Sequence, residues 1–170
     1  MEEITLKEKA SRIRMLLLDV DGTLTDGGVY IDTNGVQSRK FNIKDGMGIS
    51  LLQQAGILVG LISHSNIHSI LEHRAKMLNI THVYAGKESK LHIMHRWMHE
   101  LSLSGEEIAY IGDDVTDLEI MSKAGLTACP ADAHYRVICA ADIVLKARGG
   151  EGCVREFIDR YLLPHQGISG

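Results

Sequence analysis

Apolar residues in this chain fall into short unbroken runs, separated by longer stretches where they recur every three or four positions. Leu16-Leu17-Leu18 precedes a pair of acids, residues 57–62 read Ile-Leu-Val-Gly-Leu-Ile, and residues 108–111 read Ile-Ala-Tyr-Ile. Runs of this length without polar alternation predict strands covered on both faces, as in a parallel sheet. Further strands are expected at 82–85, 126–129 and 143–145. Helices are expected over 2–11, 45–55, 67–78, 88–101, 115–123, 134–140 and 151–163. The 88–101 segment sets Leu91, Met94, Trp97, Met98 and Leu101 along one face. Gly56 suits the end of the second helix, and Ser104 with Glu107 resembles a capping box.

Strand and helix alternate throughout, which predicts right-handed crossovers and a three-layer, doubly wound α/β fold with a mainly parallel sheet. One domain over 1–170 accommodates it, with a ligand site at the carboxyl ends of the strands. One stretch departs from the alternation. Residues 29–31 and 36–41 flank Asp32-Thr33-Asn34-Gly35, and Asn-Gly between strand-like runs predicts a hairpin over about 28–42. Its weak amphipathicity makes it project from the core.

Composition narrows the function. A formal net charge of −4 gives no global basic field, so nucleic acid is not an expected partner. No apolar run has the length of a membrane span, and Glu2, Glu3, Lys7, Glu8 and Lys9 leave no signal-peptide core. Cys129, Cys139 and Cys153 are an odd number without metal-type spacing, which fits reduced thiols in a cytoplasm. A small molecule is the expected partner.

The chemistry lies at the predicted strand ends. The first strand ends in Asp19 and Asp21, the second in Ser63, and the fourth in Asp113 and Asp114, with Asp117 a helical turn later. Lys90 opens the long helix. In a doubly wound sheet these ends converge, and so many carboxylates repel one another unless a cation neutralises them. Oxygen-only donors favour a hard ion, Mg²⁺. Lys90 and Ser63 remain to hold an anion, so the set reads as a phosphoryl-handling site.

Each acid taken alone also suits a helix N-cap, Asp114 and Asp117 in particular. His64 and His68 have a zinc-like spacing but no third ligand. His92, His95 and His99 form a surface stripe. Gly86-Lys87-Glu88-Ser89 lacks the spacing of a nucleotide-binding loop, and Ser63 has no Gly-x-Ser-x-Gly elbow. A signalling receiver domain also uses acids, a hydroxyl and a Lys, but keeps its acidic pair on another strand from the phosphorylated Asp. Here Asp19 and Asp21 share one loop.

Asp19-Val20-Asp21-Gly22-Thr23 after a hydrophobic strand resembles the first motif of the haloacid dehalogenase superfamily. Ser63, Lys90 and Gly112-Asp113-Asp114 match its other three motifs in order. The resemblance implies that Asp19 is a nucleophile forming an aspartyl-phosphate and that Asp21 is the proton carrier. It implies Mg²⁺ held by Asp19, the Asp21 carbonyl and Asp113, with Asp114 and Asp117 as outer or water-mediated contacts. Ser63 and Lys90 would bind the phosphoryl oxygens. The spacing leaves no room for a cap domain.

Residues 41–46, 131–134 and 148–155 are similar to the subfamily of 3-deoxy-D-manno-octulosonate 8-phosphate phosphatases, capless homotetramers that make a sugar acid for lipopolysaccharide. That likeness implies substrate contacts from Asn42, Ile43, Lys44, Asp45, Gly46 and Arg74, and an approach of Arg148 to a neighbouring active site. The chain has Ser63-His64-Ser65 where the subfamily carries Thr-Gly-Arg, and its next helix is one residue longer before Arg74. A related 2-keto sugar acid, such as a nonulosonate 9-phosphate, and a catalytically silent oligomerising relative therefore stay open beside the main reading.

Overall fold

Strand β1 (Met15–Leu18) lies inside a six-stranded parallel sheet of order β5-β4-β1-β6-β7-β8 in the computed structural model, which describes residues 5–66 and 68–165. Its neighbours are β4 (Leu58–Ser63) and β6 (Ile108–Ile111), with Leu17 opposite both Gly60 and Tyr110. Strand β5 (His82–Ala85) forms one edge, and β7 (Leu126–Cys129) leads to β8 (Ile143–Val144) at the other. All four β1 side chains are buried, as an unbroken apolar run requires.

They are divided between two cores. Leu16 and Leu18 join residues of α1 (Leu6–Arg12), α2 (Ile43–Gln54), α3 (His68–Met77) and α7 (Cys153–Phe157). Met15 and Leu17 join α4 (Lys90–Leu101), α5 (Leu118–Met121) and α6 (Tyr135–Ala140). The period-two alternation of strand side chains thus makes the three layers. From β1 the chain goes to β4 and β5 on one side and to β6, β7 and β8 on the other. The crevice at this switch point is where such sheets place their ligands.

The hairpin forms as predicted, β2 (Tyr30–Ile31) against β3 (Gln37–Ser38). Asp32 Oδ1 accepts from the amides of Asn34 and Val36 at 2.9 and 2.8 Å, closing the turn. Tyr30, Ile31 and Val36 are each more than 60 % exposed. A bridge between Thr25 and Phe41 ties the base of the hairpin to the end of the acidic turn.

Several element bounds differ from the pattern, each for a local reason. Helix α2 begins at Ile43 rather than 45, because the Asn42 side chain accepts from Lys44 N at 2.9 Å and caps it there. The terminal helix begins at Cys153 rather than 151, because Gly152 sits at φ +97°. It continues as a wider turn over Ile158–Leu162. The expected helix 115–123 opens as a single 3₁₀ turn, Val115–Asp117, capped by Asp114. The predicted first residues of the first and third helices, 2 and 67, lie outside the described residues. Among the described residues no helix is long and apolar enough to cross a membrane.

Candidate active site

The site is built on the end of β1. Asp19 is still extended, and its amide donates to Ile111 O at 2.9 Å, which carries the β1–β6 pairing one step past the strand. The chain then folds back at Gly22, with φ +90°. A side chain there is excluded twice over. The conformation disfavours L residues, and a Cβ would lie 2.1 Å from Asp113 Oδ2. Gly22 is what lets Asp113, past the end of β6, come up against the acidic turn.

Asp117 is fully buried and serves as a buttress. Its Oδ2 accepts from the amides of Asp113 and Asp114 at 2.9 and 3.1 Å. Its Oδ1 accepts from the Tyr110 hydroxyl and from Lys90 Nζ, both at 2.6 Å. Lys90, at the first turn of α4, also donates to Asp19 Oδ1 at 2.5 Å. Asp114 caps the following turn by accepting from Val115 N at 2.7 Å. Ser63 closes the group from β4, with its Oγ 2.8 Å from Ser65 Oγ and accepting from Ser65 N at 3.1 Å.

The charges do not balance without help. Burial pushes Asp19 well above the usual carboxylate range despite Lys90 beside it, and Asp117 and Asp113 push the same way. Burial also raises Asp113 to about 6, a rise its hydrogen bond with Asp19 opposes and the Asp117 charge adds to. Burial alone would lower Lys90, but the Asp19 and Asp117 carboxylates outweigh it and hold the ammonium charged. One cation thus faces three acids. Asp19, Asp113 and Asp117 each offer an oxygen within 4.8 Å of the others. Both Asp117 oxygens already accept hydrogen bonds, so Asp19 and Asp113 are the carboxylates open to an ion. An all-oxygen donor set around excess negative charge fits a hard divalent cation.

Asp19, Asp113, Lys90 and Ser63 line a cavity of about 300 Å³, to which Asp21, Asp114, His64, Ser65 and Thr116 also contribute. A larger cleft of about 550 Å³ between the end of α2 and the β4–β5 edge contains no Asp, Glu, Lys or Arg. Chemistry rather than size marks the site.

Sequence reasoning missed three members of this constellation. Tyr110 reads as one more apolar strand residue, yet its hydroxyl is tied to Asp117. His64 reaches across to Glu88 O at 2.9 Å and pins the loop leading into Lys90. Arg39 donates from Nε to Asp21 Oδ1 at 2.9 Å. The one signal for Arg39 was strand periodicity, since it shares a face with Phe41 two residues on.

The residues assigned to substrate by resemblance lie elsewhere in the chain. Asn42 caps α2 and donates to Gly150 O at 3.3 Å, while Ile43 and Lys44 face outward. Gly46 lies against Arg74, whose Nη2 donates to Asn42 O at 3.1 Å and whose guanidinium stands over the Phe41 ring. Arg74 lines a neighbouring cavity of about 410 Å³ together with Arg39. Arg148 is exposed and 3.6 Å from Asp132. Its loop folds onto the chain's own acidic turn, where Gly150 N donates to Thr23 O at 3.0 Å. A Cβ on Gly149 would lie 1.8 Å from Gly22 O.

Asp45 is wholly buried and caps the terminal helix, accepting from Arg155 N at 2.8 Å, while its Oδ2 has no hydrogen-bond partner among the described residues. Burial pushes its carboxyl up to about 6. A carboxyl raised on folding favours the folded state while protonated, and that contribution disappears as pH rises through about 6. Asp45→Asn keeps the cap without the charge. In urea titrations the wild type is expected to lose on the order of 1 kcal/mol or more relative to this variant between pH 5 and 7.5. Parallel pH dependences would refute the burial of a charge at Asp45.

Comparison with known proteins agrees with this geometry. A family model described as haloacid dehalogenase-like hydrolase matches residues 61–157. The chain is 41 % identical over 155 residues to the 3-deoxy-D-manno-octulosonate 8-phosphate phosphatase of Escherichia coli K12, covering 91 % of this chain and 82 % of that one. The 1.95 Å crystal structure of the Yersinia pestis phosphatase of the same name superposes with a TM-score of 0.91 at 38 % identity, covering 95 % of this chain and 86 % of the other. The Moraxella catarrhalis phosphatase, solved with magnesium, phosphate and a KDO molecule, gives 0.87 at 30 % identity over 91 % and 88 % of the two chains. With the acids, the hydroxyl and the lysine of all four motifs meeting at one switch point, the chain belongs to the haloacid dehalogenase-like hydrolases, in the branch of the 3-deoxy-D-manno-octulosonate 8-phosphate phosphatases.

Proposed function

We propose that this protein hydrolyses 3-deoxy-D-manno-octulosonate 8-phosphate to the free sugar acid and phosphate, in the cytoplasm, as a step toward lipopolysaccharide precursor. The observation that carries the reading is Asp19, 6 % exposed at the end of β1 and bound by Lys90, beside the mouth-lining Asp21 and the cation-ready Asp113. Two carboxylates, one inside and one at the rim, suit two different tasks.

Asp19 attacks phosphorus, and the bond to the sugar oxygen breaks as an aspartyl-phosphate forms. Asp21 gives its proton to the departing oxygen, then takes one from the water that attacks the phosphoryl group and regenerates Asp19. Lys90 and Ser63 hold phosphoryl oxygens where charge gathers in the transition state. Asp117 and Tyr110 keep Lys90 in place. Asp19, Asp113 and the Asp21 carbonyl would hold Mg²⁺, whose positive charge would let a phosphoryl anion approach these acids. Asp114 and Asp117 stay outside its ligand set.

The exposed Tyr30, Ile31 and Val36 of the hairpin, and Ile43 and Met47 of α2, are the apolar residues proposed to assemble the homotetramer. In that assembly the roles of Asn42, Lys44, Arg74 and Arg148 toward substrate would be completed by neighbours.

Phosphate release from a panel of sugar-acid phosphates tests the reading. The 8-phosphate is expected to be the best substrate with Mg²⁺, and EDTA is expected to reduce release to background. Preference for a nonulosonate 9-phosphate would move the substrate assignment, since Ser65 offers a hydroxyl at the cavity wall where a charged side chain is the subfamily habit. Release from no member would leave an oligomerising relative without activity.

A further inference from the structure

The reaction proposed above asks Asp21 to hand over a proton in one step and collect one in the next, yet Asp21 sits at the rim with its side chain 31 % exposed. A carboxylate there, on two rotatable bonds, samples orientations that miss the leaving oxygen, and misplacement by an ångström can cost about 10²-fold in rate. Something has to hold it. Arg39 is placed to do so. Its side chain is only 5 % exposed, and Nε donates to Asp21 Oδ1 at 2.9 Å. The guanidinium is itself fixed on the hairpin, with Nη1 donating to Ser38 O at 3.3 Å and Nη2 to Gln37 Oε1 at 3.2 Å. The hairpin base is tied to the acidic turn through the Thr25–Phe41 bridge. Among the described residues Asp21 Oδ2 accepts no hydrogen bond.

We propose that Arg39 is the positioning residue for proton transfer: it pins Asp21 through Oδ1 and leaves Oδ2 as the atom that exchanges the proton. The inference rests on the phosphatase reading. In the first step the proton leaves Oδ2 for the sugar oxygen as the phosphorus–oxygen bond breaks toward that oxygen and the new bond to Asp19 forms. In the second, Oδ2 takes a proton from water as water oxygen bonds to phosphorus and the bond to Asp19 breaks. Arg39 loses and gains nothing.

The leaving group separates positioning from a structural role. A sugar alkoxide needs its proton during departure, whereas p-nitrophenolate leaves without one. With the Mg²⁺-loaded full chain, kcat/KM is measured for the sugar-acid phosphate and for p-nitrophenyl phosphate in wild type, Arg39→Met and Arg39→Lys. This ratio reports only the steps through leaving-group departure. Arg39→Met is expected to lose about 10²-fold on the sugar phosphate and only a few-fold on the aryl ester. Arg39→Lys keeps a donor and a charge, and is expected to recover part of the sugar-phosphate rate. If Arg39→Met does not fold, Arg39→Gln takes its place in the same comparison. Equal losses on both esters, or no loss on either, would overturn the proposal. A wild type that cleaves neither ester would instead overturn the phosphatase reading.

Discussion

Replacing Asp19 with Asn is expected to lower phosphate release on the order of 10⁴-fold or more, because the amide has no carboxylate to form the aspartyl-phosphate. The shape of the site should survive. Asn occupies nearly the same volume, and its Oδ1 can still accept from Lys90 Nζ. Without an added ion the variant should be no less stable than wild type. It removes one of three clustered acids that oppose one another, two buried and Asp113 half-buried, and burial already works against charge at Asp19. Mg²⁺ should therefore raise the thermal midpoint of wild type, through linkage to the folded state, and raise that of Asp19→Asn much less. Phosphate release and thermal scans with Mg²⁺ and with EDTA provide both readings. Activity within tenfold of wild type would remove Asp19 as nucleophile, whatever the scans show.

Lys90→Met is expected to damage stability as well as rate. Lys90, 3 % exposed, is the cation between Asp19 and Asp117, and both acids are themselves buried. Taking one partner from a buried charge network usually costs about 3–5 kcal/mol, since the remaining charges stay desolvated and unpaired. For a chain of this size that corresponds to roughly 10 °C in thermal midpoint. Mg²⁺ should return part of the loss by neutralising Asp19 and Asp113, and lowering pH should return part by protonating them. The rate should fall about 10²–10³-fold even in saturating Mg²⁺, because the phosphoryl oxygens lose a fixed donor. A Lys90→Met protein as stable as wild type in EDTA would mean that the two acids are not charged together in the folded chain.

The parts of this molecule that could be read from sequence are those where local pattern and global role coincide. The β1 run had to be covered on both faces, and the sheet covers it. Asp19, Asp113, Ser63 and Lys90 follow strand ends or open a helix, so topology alone brings them into one cavity. Asn-Gly fixed the hairpin without help from packing.

What stayed hidden depends on distance in the chain. Asp45 looked like a group available to substrate, yet it caps a helix that begins more than a hundred residues later. No local signal carries such a pairing. Tyr110 hid in an apolar run because one hydroxyl hardly changes the pattern. Arg39 is adjacent to Lys40, and only the fold separates them: Lys40 is exposed and pairs with Asp26, while Arg39 turns inward to Asp21. The capping acids were legible in kind but not in rank. Asp114 caps the turn as a lone acid would, whereas Asp117 spends both oxygens on four donors.

The close seat of Gly149 on Gly22 has a consequence for how the site comes into being. The acidic turn is made well before its partners, and β1 pairs with β6 only when a segment roughly ninety residues later arrives. The loop laid over Gly22 comes later still. Closing loops of that length is entropically slow compared with forming local helices. The carboxylates are therefore brought together only after that loop has been made, and fragments that end before Gly149 leave the turn without its cover. Completion of the site waits for Gly149, so a nascent chain shorter than that does not expose a finished phosphoryl-binding site.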